Sequence, residues 1–139
     1  MSIRVVIDTS VVFKWFVAYG ETGLDEAWEL LDEHRRGGSM LLAPALVLAE
    51  VANLLRFSGI SDDDAHALFD EYERAHVVHF DLTATRVRSA LKLGLAHRIT
   101  VYDATFLALA QELDCPLVTA DRRAFGAIPP QVAEIRLVL

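Results

Sequence analysis

Apolar and polar positions alternate between two regimes along the chain. Ile3-Arg4-Val5-Val6-Ile7 has four apolar residues in five and reads as a short buried strand. Thr9 or Ser10 then caps a helix reaching about Ala18, with Val12, Phe13, Phe16 and Val17 among its apolar members. Thr22 opens a second helix, in which Leu24, Ala27, Trp28 and Leu31 recur at helical spacing and Gly37-Gly38 gives the stop. Met40 to Ala43 is a second strand. Pro44 falls in the first turn of a helix that runs to about Phe57 and ends at Ser58-Gly59. Ser61, followed by Asp62, Asp63 and Asp64, marks a helix start favoured by the helix dipole, and that helix extends to about Ala75. Val77 to Phe80 is a third strand. Asp81 or Thr83 caps a helix through Leu95, with Ala84, Val87, Leu91 and Leu95 as its apolar stripe. A helix over about 102–113 follows, and Asp114-Cys115-Pro116 turns into a fourth strand at Leu117 to Thr119. A short helix after Asp121 and a strand from Ile135 to Val138 complete the set.

Short apolar strands alternating with helices predict the α/β class: a three-layer α/β/α sandwich around a central, mostly parallel five-stranded sheet. No linker, repeat or low-complexity tract interrupts residues 1–139, which read as one domain. A chain of this length buries roughly 70% of the surface its unfolded form exposes. Such sheets bind ligands outside the carboxyl ends of their strands, where the strand order reverses. Asp8 and Asp121 each end an apolar run, so both are expected at that edge.

Composition narrows the function. A hydrophobic fraction of 53% suits a sheet covered on both faces. The net charge of −7 argues against a broad, sequence-blind nucleic-acid binder but leaves a local site open. No apolar stretch approaches the length of a membrane span, no secretory signal is evident, and the single cysteine, Cys115, excludes an internal disulfide. These features predict a cytoplasmic protein.

Carboxylates rarely sit among apolar residues without compensation. Besides Asp8 and Asp121, Glu50 and Asp103 do so on segments that otherwise read as buried helix. Four carboxylates converging on one edge repel one another, and a shared divalent cation with oxygen ligands relieves the repulsion. Their spacing is irregular, so the local contexts carry the specificity. These are Val6-Ile7-Asp8-Thr9-Ser10, Ala49-Glu50-Val51-Ala52-Asn53-Leu54-Leu55, Tyr102-Asp103-Ala104-Thr105-Phe106-Leu107-Ala108-Leu109-Ala110, and Pro116-Leu117-Val118-Thr119-Ala120-Asp121.

In type, order and separation these segments resemble the PIN-domain ribonucleases, and most closely the VapC-type toxins of toxin–antitoxin pairs. The likeness covers essentially the whole chain. It implies a metal-dependent endoribonuclease in which Asp8, Glu50, Asp103 and Asp121 form the catalytic acidic quartet and hold Mg²⁺ or Mn²⁺, with Asp8 and Asp103 as the nearest ligands. It gives supporting roles to Thr9, Ser10 and Thr119, whose hydroxyls would bond a carboxylate or a water, and to Asn53 one turn after Glu50. The substrate would be RNA (tRNA, rRNA or mRNA), hydrolysed by a cation-activated water. The implied partners are a cognate VapB-type antitoxin and a second copy of the chain, giving a homodimer and a toxin–antitoxin hetero-oligomer. Arg122 and Arg123, beside Asp121, and Lys14 are the candidate phosphate contacts.

Competing readings have specific residues against them. A phosphoryl-accepting receiver wants an acidic neighbour to Asp8 and a lysine on the last strand, where Arg136 stands instead. A haloacid-dehalogenase-type phosphatase wants an Asp at the place of Ser10. A PIN fold used mainly for protein binding, or a non-toxin PIN nuclease of RNA processing, stays open beside the toxin.

Overall fold

In the computed structural model, which describes residues 3–16 and 23–138, apolar runs become strands and amphipathic segments wrap them. Five strands, β1 (Ile3–Ile7), β2 (Ser39–Pro44), β3 (Val78–Phe80), β4 (Leu117–Thr119) and β5 (Ile135–Leu137), form one all-parallel sheet in the order β3-β2-β1-β4-β5. Val6 and Ile7 of β1 lie between Leu42 of β2 and Leu117 and Val118 of β4, all buried. Ile3 and Arg4 are exposed at the amino end of β1, so only the second half of that strand is core.

Seven helices occupy the connections among the described residues: α1 (Thr9–Phe16), α2 (Leu24–Arg35), α3 (Leu46–Arg56), α4 (Asp62–Arg74), α5 (Ala84–His97), α6 (Val101–Leu113) and α7 (Arg122–Phe125). The chain steps from β1 to β2 to β3 in one direction, then crosses to β4 and β5 on the other side of β1. Right-handed crossovers put the helices of these two journeys on opposite faces. Accordingly α1 packs on α2 and α3, and α3 on α4, whereas α5 packs on α6, which lies across β1, β2 and β4. The strand order reverses between β1 and β4.

Side chains cap four helices: Ser61 for α4, Thr83 for α5, Thr100 for α6 and Asp121 for α7 each accept an N–H from the residue three further on. Three expectations need correction. Pro44 is the last residue of β2, in register with Phe80, and α3 starts two residues later. The Ala45 N–H bonds the Phe80 carbonyl at 2.8 Å, so the strand end needs no donor from Pro44. The N-cap of α2 is Gly23 in a left-handed conformation (φ 73°), and Thr22 lies outside the described residues, as does the helix end expected near Ala18. The apolar stripe read on α5 is not its buried face. Val87, Leu91 and Leu95 are exposed, Leu95 at 75%, and α5 buries Ala90, Leu93 and Gly94. A Cβ on Gly94 would come within 3.0 Å of the Ile99 carbonyl, so small residues let the helix backbone approach the turn into α6.

Candidate functional site

Asp8 follows β1 directly, and Asp121 stands two residues beyond β4, at the carboxyl ends of the two strands that flank the reversal. Helices supply the rest. In α3 the stripe Val47, Val51 and Leu55 is buried, which turns Glu50, Asn53 and Leu54 toward a neighbouring face. Asp103 lies in the first turn of α6, its N–H held by Thr100 Oγ1 at 3.0 Å. A cleft of about 370 Å³ joins these elements and is lined by Asp8, Thr9, Ser10, Phe13, Glu50, Asn53, Leu54, Asp103 and Asp121. The four acidic residues named from the sequence thus share one cavity, together with Thr9, Ser10 and Asn53.

Hydroxyls organise the carboxylates. Ser10 Oγ and Thr119 Oγ1 both donate to Asp8 Oδ2, at 2.7 and 2.9 Å. Each hydroxyl in turn accepts a backbone N–H at 2.9 Å: Ser10 from Ala120, and Thr119 from Asp121. Thr119 itself is fully buried. Thr9 Oγ1 donates to Glu50 Oε1 at 2.7 Å, tying α1 to α3. Asp121 Oδ1 accepts the Ala124 N–H at 3.0 Å, so this residue caps α7 as well as lining the cleft.

Electrostatics strain the cluster. Burial pushes the Asp8 carboxyl above its ordinary pKa, and the bonds from Ser10 and Thr119 offset this only in part. Glu50 is raised first by burial, then by the charges of Asp8 and Asp103 against the opposing Thr9 bond. Asp103 is raised by burial and by the Asp8 and Asp121 charges, with the Thr100 bond opposing. The cluster therefore favours positive charge. Among the described residues no group of three or more His, Cys, Asp or Glu side chains forms a ready-made metal-holding arrangement. The donor set still suits a hard divalent cation, since it is all oxygen, and such an ion takes one or two carboxylates directly and keeps water for its other positions.

The proposed phosphate contacts divide. Arg122 and Arg123 are exposed on α7, directly after Asp121. Lys14 is buried at 6% exposure and already engaged, so it is not presented as a surface phosphate ligand. Sequence reasoning missed Thr100 as the cap that fixes Asp103, and it read Phe13 only as an apolar member of its helix. Phe13 is one helical turn from Thr9 and lines the cleft, 37% exposed. Phe13 and Glu50 being on different helices, only the fold reveals that shared wall.

The all-parallel α/β sheet thus gathers its carboxylates at the strand-order reversal, where such sheets bind ligands. The family model of the PIN domain matches residues 5–129. The chain is 37% identical over 102 residues to ribonuclease VapC1 of Mycobacterium tuberculosis, covering 69% of this chain and 73% of that protein. It is 25% identical over 130 residues to ribonuclease VapC3 of Pyrobaculum aerophilum, covering 93% and 98%. The chain belongs to the PIN-domain family, in its VapC group. Among solved structures, VapBC2 from Rickettsia felis bound to a promoter DNA fragment superposes with a TM-score of 0.75 at 14% identity, covering 97% of this chain and 98% of that one. Mycobacterium tuberculosis VapC20, a sarcin–ricin loop cleaving toxin, gives 0.68 at 19% identity, covering 89% and 95%. These likenesses support the fold.

Proposed function

We propose that this protein is an RNA-hydrolysing enzyme, an endoribonuclease acting as the toxin of a VapBC-type pair and dependent on Mg²⁺ or Mn²⁺. The observation that carries this reading is the cleft in which Asp8, Glu50, Asp103 and Asp121 meet at the strand-order reversal, three of them held above their ordinary pKa. Asp8 and Asp103 would hold the cation, with Glu50 and Asp121 acting directly or through water. When bound, the cation would supply an activated water and neutralise charge on the phosphoryl oxygens. The chain's own residues do the preparation. Ser10 and Thr119 fix the Asp8 carboxylate from one side through Oδ2, Thr9 fixes Glu50, and Thr100 fixes the turn that bears Asp103. Arg122 and Arg123, exposed directly after Asp121, would take a phosphate there.

The reading extends to partners and place. An acidic cleft on a chain of net charge −7 is complementary to a basic segment of a VapB-type antitoxin, and a homodimer and toxin–antitoxin hetero-oligomer follow from the group it belongs to. Among the described residues no helix is long and apolar enough to cross a membrane, and the RNA substrate puts the working protein in the cytoplasm.

The test is cleavage of total cellular RNA by antitoxin-free protein. Discrete cuts with Mg²⁺ or Mn²⁺, abolished by EDTA and by Asp8→Asn, are the expected result. Cleavage that survives both EDTA and Asp8→Asn would overturn the site, and folded wild-type protein that cuts nothing would overturn the activity.

A further inference from the structure

The lining of the cleft is not acidic throughout. Phe13 from α1 and Leu54 from α3 form an apolar stretch of the same cavity, each 37% exposed, with Asn53 beside Leu54. Large apolar side chains gain by leaving water, and Val11, Val12 and Trp15 on the same α1 helix are buried. The chain instead leaves a phenyl ring and a leucine open, one helical turn from Thr9 and Ser10 and from Glu50 respectively. The Asn53 side-chain amide has no hydrogen-bond partner among the described residues, so its donors and acceptor are available to a guest.

We infer that Phe13, Leu54 and Asn53 form a nucleobase subsite, which takes the base of a nucleotide flanking the scissile phosphate while the carboxylate wall serves the phosphate. Three features of the cavity point to this occupant. A nucleotide is itself divided into an anionic end and a flat apolar end, and the cleft carries matching halves: carboxylates that call for a cation, which in turn calls for phosphate, and an apolar wall. Its volume of about 370 Å³ falls at the small end of ligand pockets, suited to one nucleotide unit rather than a folded element. A phenyl ring provides a stacking face that every base satisfies, and Asn53 adds an amide for hydrogen bonds to a base edge. A single-stranded RNA segment is the form whose unstacked bases can enter.

The inference rests on the nuclease reading, and the experiment separates the two. The cut site is first mapped on cellular RNA with the wild-type protein. A short oligoribonucleotide spanning it is then made intact and with an abasic nucleotide at each flanking position in turn. kcat/KM for cleavage is measured for wild type, Phe13→Ala and Phe13→Leu, and Kd for the intact oligonucleotide is measured in the Asp8→Asn background with and without Phe13→Ala. Phe13→Leu keeps the apolar bulk but removes the ring, which guards against a folding defect in the alanine variant. One abasic position should cost the wild type about 5- to 150-fold, the range of stacking on an aromatic side chain. Phe13→Ala should cost a similar factor on intact RNA, Kd should weaken in parallel, and both variants should be nearly insensitive to that abasic position. Undiminished abasic sensitivity in Phe13→Ala would overturn the subsite, as would normal cleavage by Phe13→Ala accompanied by lost binding of the antitoxin, which would assign the apolar wall to a protein partner. If the wild type cuts no RNA, the nuclease reading fails first and the subsite with it. If it cuts but shows no loss at any abasic position, the subsite alone fails.

Discussion

Asp8 concentrates the chemistry of the site in one side chain. Its carboxylate is buried, shares one oxygen between two hydroxyl donors, and has a raised pKa. The native state thus carries a charge it would rather not hold. Asp8→Asn removes that charge with little change in volume. Cleavage should fall more than about 100-fold, beyond the loss typical of an outer ligand-supporting residue, while Tm at pH 7 in the absence of divalent cations rises. Parallel thermal melts and RNA cleavage check the two halves, and a variant that is both less stable and fully active would contradict the assignment. Thr119→Val makes the opposite case. It deprives Asp8 Oδ2 of one donor in a buried setting and leaves the half-buried Asp121 N–H without its acceptor. Such a loss costs about 1–3 kcal/mol, and activity should drop about 10- to 100-fold. Denaturant unfolding and cleavage rates would show it.

At the scale of the element, the caps and packing faces decide how firmly the cleft is held. Thr100→Ala removes the side-chain acceptor for the Asp103 N–H, and should cost about 1 kcal/mol with an unchanged denaturant slope. The corrected face of α5 gives a sharper contrast. Leu95→Asp, on the exposed side, should change stability by less than about 0.5 kcal/mol, whereas Leu93→Ala should cost about 2–5 kcal/mol. If the order is reversed, the burial described for α5 is wrong. The sequence led to the wrong stripe for a physical reason. Periodicity registers large apolar side chains, and Val87, Leu91 and Leu95 repeat well. α5 packs instead through Ala90 and Gly94, where the useful property is absence of bulk. Ser61 and Thr83 were legible as caps because a hydroxyl before a helical run has one common use. Pro44 was not, because a proline ending a strand and one starting a helix look the same without knowing which neighbour the next N–H will find.

For the whole molecule, the strand order came only with the fold, whereas the parallel five-stranded sheet and the address of Asp8 and Asp121 at its carboxyl edge could be read from alternating runs. The apolar wall beside them could not, since Phe13 becomes a cleft residue only when α1 and α3 lie side by side. The acidic cluster also imposes a global pH dependence. Asp8, Glu50 and Asp103 hold their protons to higher pH when folded than when unfolded, from ordinary values of 3.8 and 4.5. As pH rises past those values the unfolded chain ionises first, so these groups lower folding stability through the interval up to their raised folded pKa values and level off above it. In cation-free buffer, the part of the melting curve due to this cluster should therefore decline from about pH 4 upward. Mn²⁺ or Mg²⁺ at neutral pH should raise Tm by preferential binding to the folded state, and should do so far less for Asp8→Asn. Calorimetry across pH with and without cation measures both, and equal Tm gains in the two proteins would remove Asp8 from the cation's site.

The bond from Thr119 to Asp8 joins residues 111 positions apart, and it forms only once β4 has docked beside β1. A ribosome adding about 5–20 residues per second takes roughly 5–20 s to cover that distance. Throughout that interval the nascent chain has its first carboxylate but neither the strand that holds it nor Asp121. A chain stalled before Thr119 therefore lacks both the hydroxyl that holds Asp8 and Asp121 itself, so the acidic cleft is completed only near the end of synthesis.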